Sequence, residues 1–255
     1  MFFKDLSSGM GAYSKALKLI SKLNLWKFFL IPALIGLFIG GGIVWLAIGV
    51  SDNIGDWMAQ VWVFDWGKET FTIISHWLGG IIVIVIGIVI FKHVVQAFSS
   101  PFMGPVSEKI EEYLTGKELE SNNFMILLLR GIKINVRNLF LELLYTFFLF
   151  ILGFIPILNI ISAILIFRVQ AYYAGFGNMD YTLERYMNYK ESAKFVKRHK
   201  GVAVGNGILF TLMLIIPFIG VIITLPIATV ASTIETLKKL EKEGKVTLLN
   251  QKLLN

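Results

Sequence analysis

Two uncharged apolar runs, residues 28–50 and 70–91, constrain this chain more than any other feature of its sequence. The first run has 23 residues, and at about 1.5 Å per residue a helix of that length crosses a hydrocarbon core of about 30 Å. His76 is the only ionisable side chain of the second run. Hydrophobic residues make up 56% of the chain and the mean hydropathy is +0.71. The sequence therefore predicts an integral membrane protein, with transmembrane helices at 28–50 and 70–95.

Two further apolar stretches, residues 139–167 and 207–231, contain a proline near their middle, Pro156 and Pro217. Proline removes a backbone donor and clashes with the preceding turn, so each stretch should break there. The shorter halves reach only about 15 Å, half of the hydrocarbon core. We therefore expect an all-α protein with two transmembrane helices and two Pro-broken helical hairpins that penetrate part of the bilayer. Two full crossings per hairpin remain the alternative.

The distribution of Lys and Arg supports this topology. Of the 24 basic residues, only Lys68 lies between the two spans, and the other 23 fall on one side if both hairpins return. Basic loops mark the cytoplasmic side of a membrane protein. We expect an inner-membrane, multi-pass protein with both termini in the cytoplasm. Full crossings would give the same charge count, so only segment length favours partial penetration.

The segments outside the apolar runs have amphipathic patterns. In residues 1–27 an apolar stripe recurs at helical spacing, which predicts a helix on the inner leaflet; its members are Leu6, Met10, Tyr13, Leu17 and Ile20. Residues 99–105 contain two prolines and predict a turn, followed by a short helix over 106–114 that stops at Gly116. We expect residues 232–255 to form a cytoplasmic tail of a single membrane domain, residues 1–255.

The two proline-containing stretches share a weak internal repeat, residues 154–159 and 215–220. Helices that start near Ile157 and Phe218 would point the unpaired N–H groups of their first turn toward the middle of the membrane, where backbone donors can solvate an anion. Asn159 adds a polar group beside one of these ends. The alternative is that Pro156 and Pro217 only break two lipid-facing hairpins.

Glu142 is a carboxylate within an apolar run, which suggests a partner or a wet cavity. Arg168, at the returning end of the same hairpin, is the candidate partner; alternatively, Glu142 reaches the membrane surface. His76 and His93 lie at opposite ends of one span and are expected at the interfaces.

No known catalytic or metal-binding motif is present in the sequence, and Cys is absent. We expect a protein that is not an enzyme and has no metal or other cofactor. The formal charge of +7 could suggest nucleic acid, but a nucleic-acid binder does not carry four long apolar stretches.

Small residues in the two spans indicate close helix packing. Gly36 and Gly40 have GxxxG spacing, extended by Gly41 and Gly42, which could pair two copies of the first span in a homo-oligomer. The alternative is contact with Gly79, Gly80 and Gly87 of the second span within one chain.

The order of these motifs resembles the CysZ-type sulfate permeases and the related etoposide-induced-protein-like membrane proteins. The resemblance covers roughly residues 7–240 and rests on five segments: 8–10, 25–27 with 30–33, 100–102, 108–109 with 114–116, and 180–181 with the basic run 197–200. It implies two transmembrane helices, two partly penetrating hairpins, an oligomer, and sulfate entry for cysteine synthesis.

The resemblance also implies a substrate-binding segment before the first span. The family's loop reads Gly, a hydrophobic residue and two arginines, and the matching positions here are Asn24, Leu25, Trp26 and Lys27. Only Lys27 keeps the charge, and Thr182 stands where the family has a proline. The implied function is an inner-membrane permease or channel for sulfate or a related anion. The alternative is a non-transporting scaffold that interacts with lipid, since its basic periphery would also attract anionic lipids.

Overall fold

The computed structural model describes residues 2–64, 66–120, 123–216 and 219–249, and their regular secondary structure is helical. Eight α-helices and one 3-10 helix follow one another along this part of the chain. They are α1 (Phe2–Lys22), the 3-10 helix (Leu25–Phe29), α2 (Leu30–Ala59), α3 (Lys68–Thr115), α4 (Phe124–Leu152), α5 (Asn159–Leu183), α6 (Tyr189–Arg198), α7 (Lys200–Leu214) and α8 (Ile219–Lys242). The all-helical fold class is therefore confirmed.

Within the described ranges, four helical segments are long and apolar enough to cross a membrane: Leu25–Leu46, Ile86–Thr115, Phe124–Leu152 and Asn159–Leu183. Many of their apolar side chains face outward; Phe38 is 85% exposed and Phe140 is 66% exposed. Exposed apolar surface of this extent is unfavourable in water and is typical of a surface that lipid covers. The structure thus has the surface of a multi-pass membrane protein.

Helix α3 continues through the segment where the sequence predicts a turn, so that prediction is wrong. Its 48 residues include Pro101 and Pro105, and at about 1.5 Å per residue it is about 72 Å long. Proline inside a helix costs about 3 kcal/mol, but the packing of neighbouring helices offsets this cost here. Ser100 is buried and its hydroxyl donates to the Leu127 carbonyl of α4 at 3.1 Å. The predicted stop at Gly116 is confirmed by its left-handed φ of 69°.

Both proline-containing stretches break where the sequence predicts. Helix α4 ends at Leu152, a turn follows, and α5 begins at Asn159. Helix α7 ends at Leu214 and α8 begins at Ile219; the predicted tip residues Pro217 and Phe218 lie outside the described residues. The helices around the first break extend well beyond the apolar run, since α4 has 29 residues and α5 has 25.

Helix α1 packs on protein with a face that shares Tyr13 and Ile20 with the predicted stripe but not its other members. Leu6 and Met10 are only half-buried and Leu17 is exposed, whereas small residues on the adjacent face are buried; the buried residues are Asp5, Gly9, Ala12, Tyr13, Ala16, Leu19 and Ile20. Small residues face α7 because the two backbones approach closely: a Cβ on Gly205 of α7 would lie 2.2 Å from the Leu6 carbonyl oxygen.

Residues 232–242 continue α8 and do not form a tail. Ile234, Leu237 and Leu240 are fully buried in the core that α8 shares with α1 and α3. Their spacing of three residues places them on one side of the helix, so the segment gains apolar burial by remaining helical. Lys239 of the same segment is also buried, and its ammonium lies 2.5 Å from Asp5 Oδ1 of α1.

Candidate functional site

The predicted substrate-binding segment joins α1 to α2 through a sharp turn. Asn24 has φ 51° and ψ 48°, and it is the one non-glycine residue with positive φ in the described part of the chain. Asn tolerates this left-handed conformation better than most residues. The turn leads directly into the 3-10 helix, so Leu25, Trp26 and Lys27 lie on a short helix at the head of the first span.

Lys27 points to an aromatic ring that a second lysine also approaches. Its Nζ lies 5.5 Å from the centroid of the Phe28 ring, and Nζ of Lys109, on α3, lies 5.2 Å from the same centroid. Both lysines are exposed. Leu25 is buried and anchors the segment, while Trp26 is half exposed and packs 5.0 Å from the Phe29 ring. The segment therefore presents two ammonium groups beside one aromatic residue.

The first predicted hairpin tip is exposed. Pro156 and Ile157 lie in the turn between α4 and α5, and Ile157 is 85% exposed. Asn159 is exposed at the first position of α5, and no side chain caps this helix end. The helix thus begins two residues after the predicted position, with the unpaired N–H groups of its first turn close to the tip.

Glu142 has partners other than the one predicted. Its Oε1 accepts a hydrogen bond from Lys92 Nζ at 2.6 Å, and its Oε2 lies 2.9 Å from His93 Nε2. Lys92 also donates to the Gln170 carbonyl at 3.2 Å, and His93 Nδ1 lies 3.3 Å from Asn135 Oδ1. All three ionisable side chains are at most 3% exposed. We call Lys92, His93 and Glu142 the buried ion cluster.

The predicted pair of Glu142 with Arg168 is corrected by this geometry. The carboxylate of Glu142 faces α3, whereas the Arg168 guanidinium lies 5.0 Å from the Phe2 ring of α1. His93 is buried inside the protein, at 1% exposure. His76, near the start of α3, is half-buried, and its Nε2 lies 2.9 Å from Asp56 Oδ1.

Next to this cluster, a chain of buried amide side chains links α3 to α5, α7 and α8. Gln96 Nε2 donates to Asn178 Oδ1, and Asn178 Nδ2 donates to Asn206 Oδ1, both at 2.8 Å. Asn206 Nδ2 continues to the Ala228 carbonyl of α8 at 3.0 Å. The three amide side chains are at most 1% exposed. We call Gln96, Asn178 and Asn206 the amide chain; it gives an otherwise apolar helical protein a polar interior.

A second charged network lies at the far ends of α3 and α5. Arg130 donates to both oxygens of Asp180 at 2.9 Å, and Arg185 donates to Glu111 Oε2 at 2.7 Å. Burial raises the pKa of the Glu184 carboxyl well above its usual range, and the neighbouring Asp180 carboxylate adds to the shift. Asp180 is thus held by an arginine, and Glu184 is the carboxyl that favours the protonated form.

Thr182 takes a structural role at the position where the related family has proline. Its hydroxyl lies 2.9 Å from the Ser107 hydroxyl and 3.1 Å from the Thr233 hydroxyl. These contacts join α3, α5 and α8, and α5 continues through this position to Leu183. Threonine at this position therefore keeps α5 helical and adds a hydrogen-bonded contact between helices.

Comparison with known proteins shows the family of this chain. The family described as Sulfate transporter CysZ/Etoposide-induced protein 2.4 matches residues 12–224, most of the 255 residues. The chain belongs to this family. The match confirms the resemblance found from the sequence.

Several members of the CysZ family that are named sulfate transporter CysZ align with most of the chain. The protein of Pectobacterium atrosepticum is 24% identical over 233 residues, which cover 89% of this chain and 83% of the relative. The protein of Vibrio parahaemolyticus is 25% identical, covering 89% and 92%. The protein of Pseudomonas syringae pv. tomato is 27% identical, covering 86% and 88%.

In this CysZ family member, three residues that sequence reasoning did not assign to a site lie beside the predicted site residues. Lys92 and His93 close the second apolar run in the sequence, and such positions normally indicate a membrane interface. Lys109 follows two prolines and has no pattern that connects it with Lys27. Each of these residues is recognised only by its short distance to a residue of another helix, and a single sequence does not contain that distance.

Proposed function

We propose that this protein is an inner-membrane permease or channel for sulfate or a related small anion, which supplies sulfate for assimilation and cysteine synthesis. The observation that carries the proposal is the family match over residues 12–224, together with relatives named sulfate transporters. A transport role also fits a chain with four apolar helical segments and a polar interior.

The entrance in this proposal is formed by Lys27 and Lys109. Neither lysine has a carboxylate partner in the part of the chain that the structure describes, so both ammonium groups are free to meet an anion. Sulfate is a dianion, and two ammonium groups can neutralise its charge where it leaves water. The basic side of the protein raises the local concentration of anions around this entrance.

Passage beyond the entrance requires polar groups within the membrane, because an isolated ion in hydrocarbon costs tens of kcal/mol. The buried ion cluster and the amide chain supply such groups. The first turn of α5, at Asn159, adds backbone donors at one hairpin tip, and we propose the same role for the second tip, predicted from the sequence at Pro217 and Phe218. Ionisable side chains inside membrane segments are costly and usually belong to a transport pathway or a paired cluster.

We propose that two helices cross the bilayer and two hairpins dip into it from the cytoplasmic side. Arg137 lies 15 residues before the end of α4 at Leu152, and Arg168 lies nine residues after the start of α5 at Asn159. At about 1.5 Å per residue these basic residues are about 22 Å and 14 Å from the tip, less than the hydrocarbon thickness of about 30 Å. Exposed Trp57, in the last turn of α2, and exposed Trp66, just before α3, lie where the outer interface is expected.

We also propose that the functional unit is a homo-oligomer that contacts lipid around its rim. Gly40 packs against Phe91 and Gly87 against Ile43 within one chain, whereas a Cβ on Gly41 or Gly42 would have nothing within 4 Å. Part of the small-residue surface of α2 is therefore open to a second copy.

The proposal is tested by growth on sulfate. A bacterial strain that lacks its own sulfate permeases should grow with sulfate as sole sulfur source when it expresses the full chain. Cysteine as the sulfur source is the control for general fitness. If the chain is present in the membrane and growth on sulfate is absent while growth on cysteine is normal, sulfate is not the substrate, and the scaffold becomes the better account.

A further inference from the structure

A basic cavity of about 460 Å³ lies between α4, α5, α6 and α7, apart from the entrance at Lys27. Four cationic side chains line it: Arg137, Arg168, Lys197 and Lys200. No Asp or Glu is among its lining residues in the described part of the chain. The remaining walls are formed by apolar and tyrosine side chains.

The cationic groups of the cavity have no carboxylate to balance them. Arg137 donates to the Asn138 amide oxygen at 3.2 Å, and Arg168 lies over the Phe2 ring. Neither Lys197 nor Lys200 has an ion-pair partner among the described residues. The Glu142 carboxylate, one residue from the lining Leu141, is bound to Lys92 and His93. Like charges repel, so four gathered cations favour an anion as the occupant.

The cavity is polar at one end and apolar at the other. Along α4 the lining runs from Arg137 through Leu141 to Leu149, a distance of about 18 Å at 1.5 Å per residue. Leu149 is three residues from the end of the helix, and Leu165 faces it from α5. The cavity thus leads from a set of cations toward the apolar hairpin tip.

The apolar end lies next to side chains that face outward. Phe148 is 60% exposed and Ile164 is 63% exposed, each one residue from a lining leucine. A free inorganic anion would use only the four cations and would leave the apolar wall without a partner. A phospholipid would use both ends, because its phosphate matches the cations and its acyl chain matches the leucines.

We propose that this cavity binds an anionic phospholipid of the surrounding membrane, with the phosphate among Arg137, Arg168, Lys197 and Lys200 and an acyl chain along Leu149 and Leu165. The site is distinct from the entrance at Lys27 and Lys109, and its occupant does not have to be transported. The lipid stabilises the hairpin of α4 and α5 against α6 and α7 by neutralising four cations that no carboxylate of the cavity balances.

The test measures lipid binding to the purified full chain in detergent by native mass spectrometry. The probes are palmitoyl-oleoyl phosphatidylglycerol, the zwitterionic phosphatidylcholine with the same chains, and sodium sulfate as the free oxyanion. The test variant is Lys197→Gln/Lys200→Gln, because both side chains line the cavity and lack ion-pair partners. The matched control is Lys190→Gln/Lys194→Gln, which removes two charges from exposed positions of α6 outside the cavity lining.

We expect the wild type to bind phosphatidylglycerol more tightly than phosphatidylcholine, and the cavity variant to bind phosphatidylglycerol about tenfold or more weakly. The control variant should bind it as the wild type does. Equal phosphatidylglycerol binding by the cavity variant and the wild type overturns the proposal. Loss of sulfate binding alone, with phosphatidylglycerol binding unchanged, also overturns it and identifies a free oxyanion as the occupant. Neither readout depends on sulfate flux, so failure here is distinguishable from failure of the permease proposal.

Discussion

The Lys92 ammonium lies 2.6 Å from Glu142 Oε1, with the two side chains 3% and 0% exposed. The other carboxylate oxygen is taken by His93, so each ionisable group of the cluster has a partner. The cluster joins α3 to α4 through buried side chains. Removing Lys92 would leave the buried Glu142 carboxylate without its ammonium partner.

Replacement of one member of this pair should therefore destabilise the protein strongly. We expect Lys92→Met to lower the free energy of unfolding by about 3–5 kcal/mol, because the Glu142 carboxylate loses its ammonium partner, while Lys92→Met/Glu142→Leu regains most of the loss. Chemical unfolding of the purified variants in detergent measures the free energy of unfolding of the single and the double variant. Lys68→Met, at the exposed start of the same helix, is the control and should unfold like the wild type. Wild-type stability of Lys92→Met would contradict the pairing.

We predict that the folding stability of the protein depends on pH through the Glu184 carboxyl. Its pKa is raised in the folded protein above the ordinary value of 4.5, so the folded state holds the proton more tightly than the unfolded state does. Its contribution to stability is fully present below pH 4.5 and is lost as the pH rises through the folded pKa. Glu184→Gln, which resembles the protonated form, should therefore raise the unfolding temperature at pH 8. The difference from wild type should shrink as the pH falls toward 4.5.

The groups around Glu184 determine how this experiment is interpreted. Asp180 and Glu108 raise the pKa of the Glu184 carboxyl, and Arg185 and Arg130 oppose them. Its Oε1 is buried without a hydrogen-bond partner among the described residues. If Glu184→Gln lowers the unfolding temperature at pH 8, the carboxylate is ionised and contributes a favourable pairing with an arginine instead.

Charge reversal at the entrance should reduce anion uptake without unfolding the protein. Lys27 and Lys109 are exposed and both lie near the Phe28 ring, one in the 3-10 helix and one on α3. We expect Lys27→Glu and Lys109→Glu each to lower the initial rate of sulfate uptake into proteoliposomes about tenfold, whereas Lys117→Glu, an exposed position on the connection after α3, leaves it unchanged. An equal decrease in all three variants would indicate a general surface-charge effect and no specific entrance.

The depth of the first hairpin can be measured by cysteine labelling, since the chain has no native cysteine. An impermeant maleimide added to intact cells should label Lys68→Cys, between the crossing helices, and should fail to label Lys190→Cys on α6. It should also fail to label Ile157→Cys at the hairpin tip, because the tip remains within lipid. Labelling of Ile157→Cys from outside would show that α4 and α5 both cross the bilayer.

The breaks between helices could be predicted from the sequence because each depends on local chemistry. Pro156 lies between the end of α4 and the start of α5, α7 ends at Leu214 before the second predicted break, and Gly116 forms the left-handed end of α3. Pro101 and Pro105 show the limit of this reasoning. The free-energy cost of a proline within a helix applies to them as well, but the surrounding helices bury that part of α3 and keep it continuous.

The site could be predicted only in part, because its groups meet across helices. Lys27 was assigned through a family resemblance, whereas its neighbour Lys109 is 82 positions away in the sequence. The partner of Glu142 was expected on the same hairpin, but α3 supplies it. The packing face of α1 was predicted from large apolar residues, while a close helix contact selects Gly9, Ala12 and Ala16 instead.

Uptake of radiolabelled sulfate into proteoliposomes that contain the purified wild-type chain tests the central claim most directly. The account predicts uptake that depends on the protein, saturates with sulfate concentration, and is absent from empty vesicles made of the same lipids. Uptake equal to that of empty vesicles, from protein shown to be folded and inserted, would contradict sulfate transport by this chain.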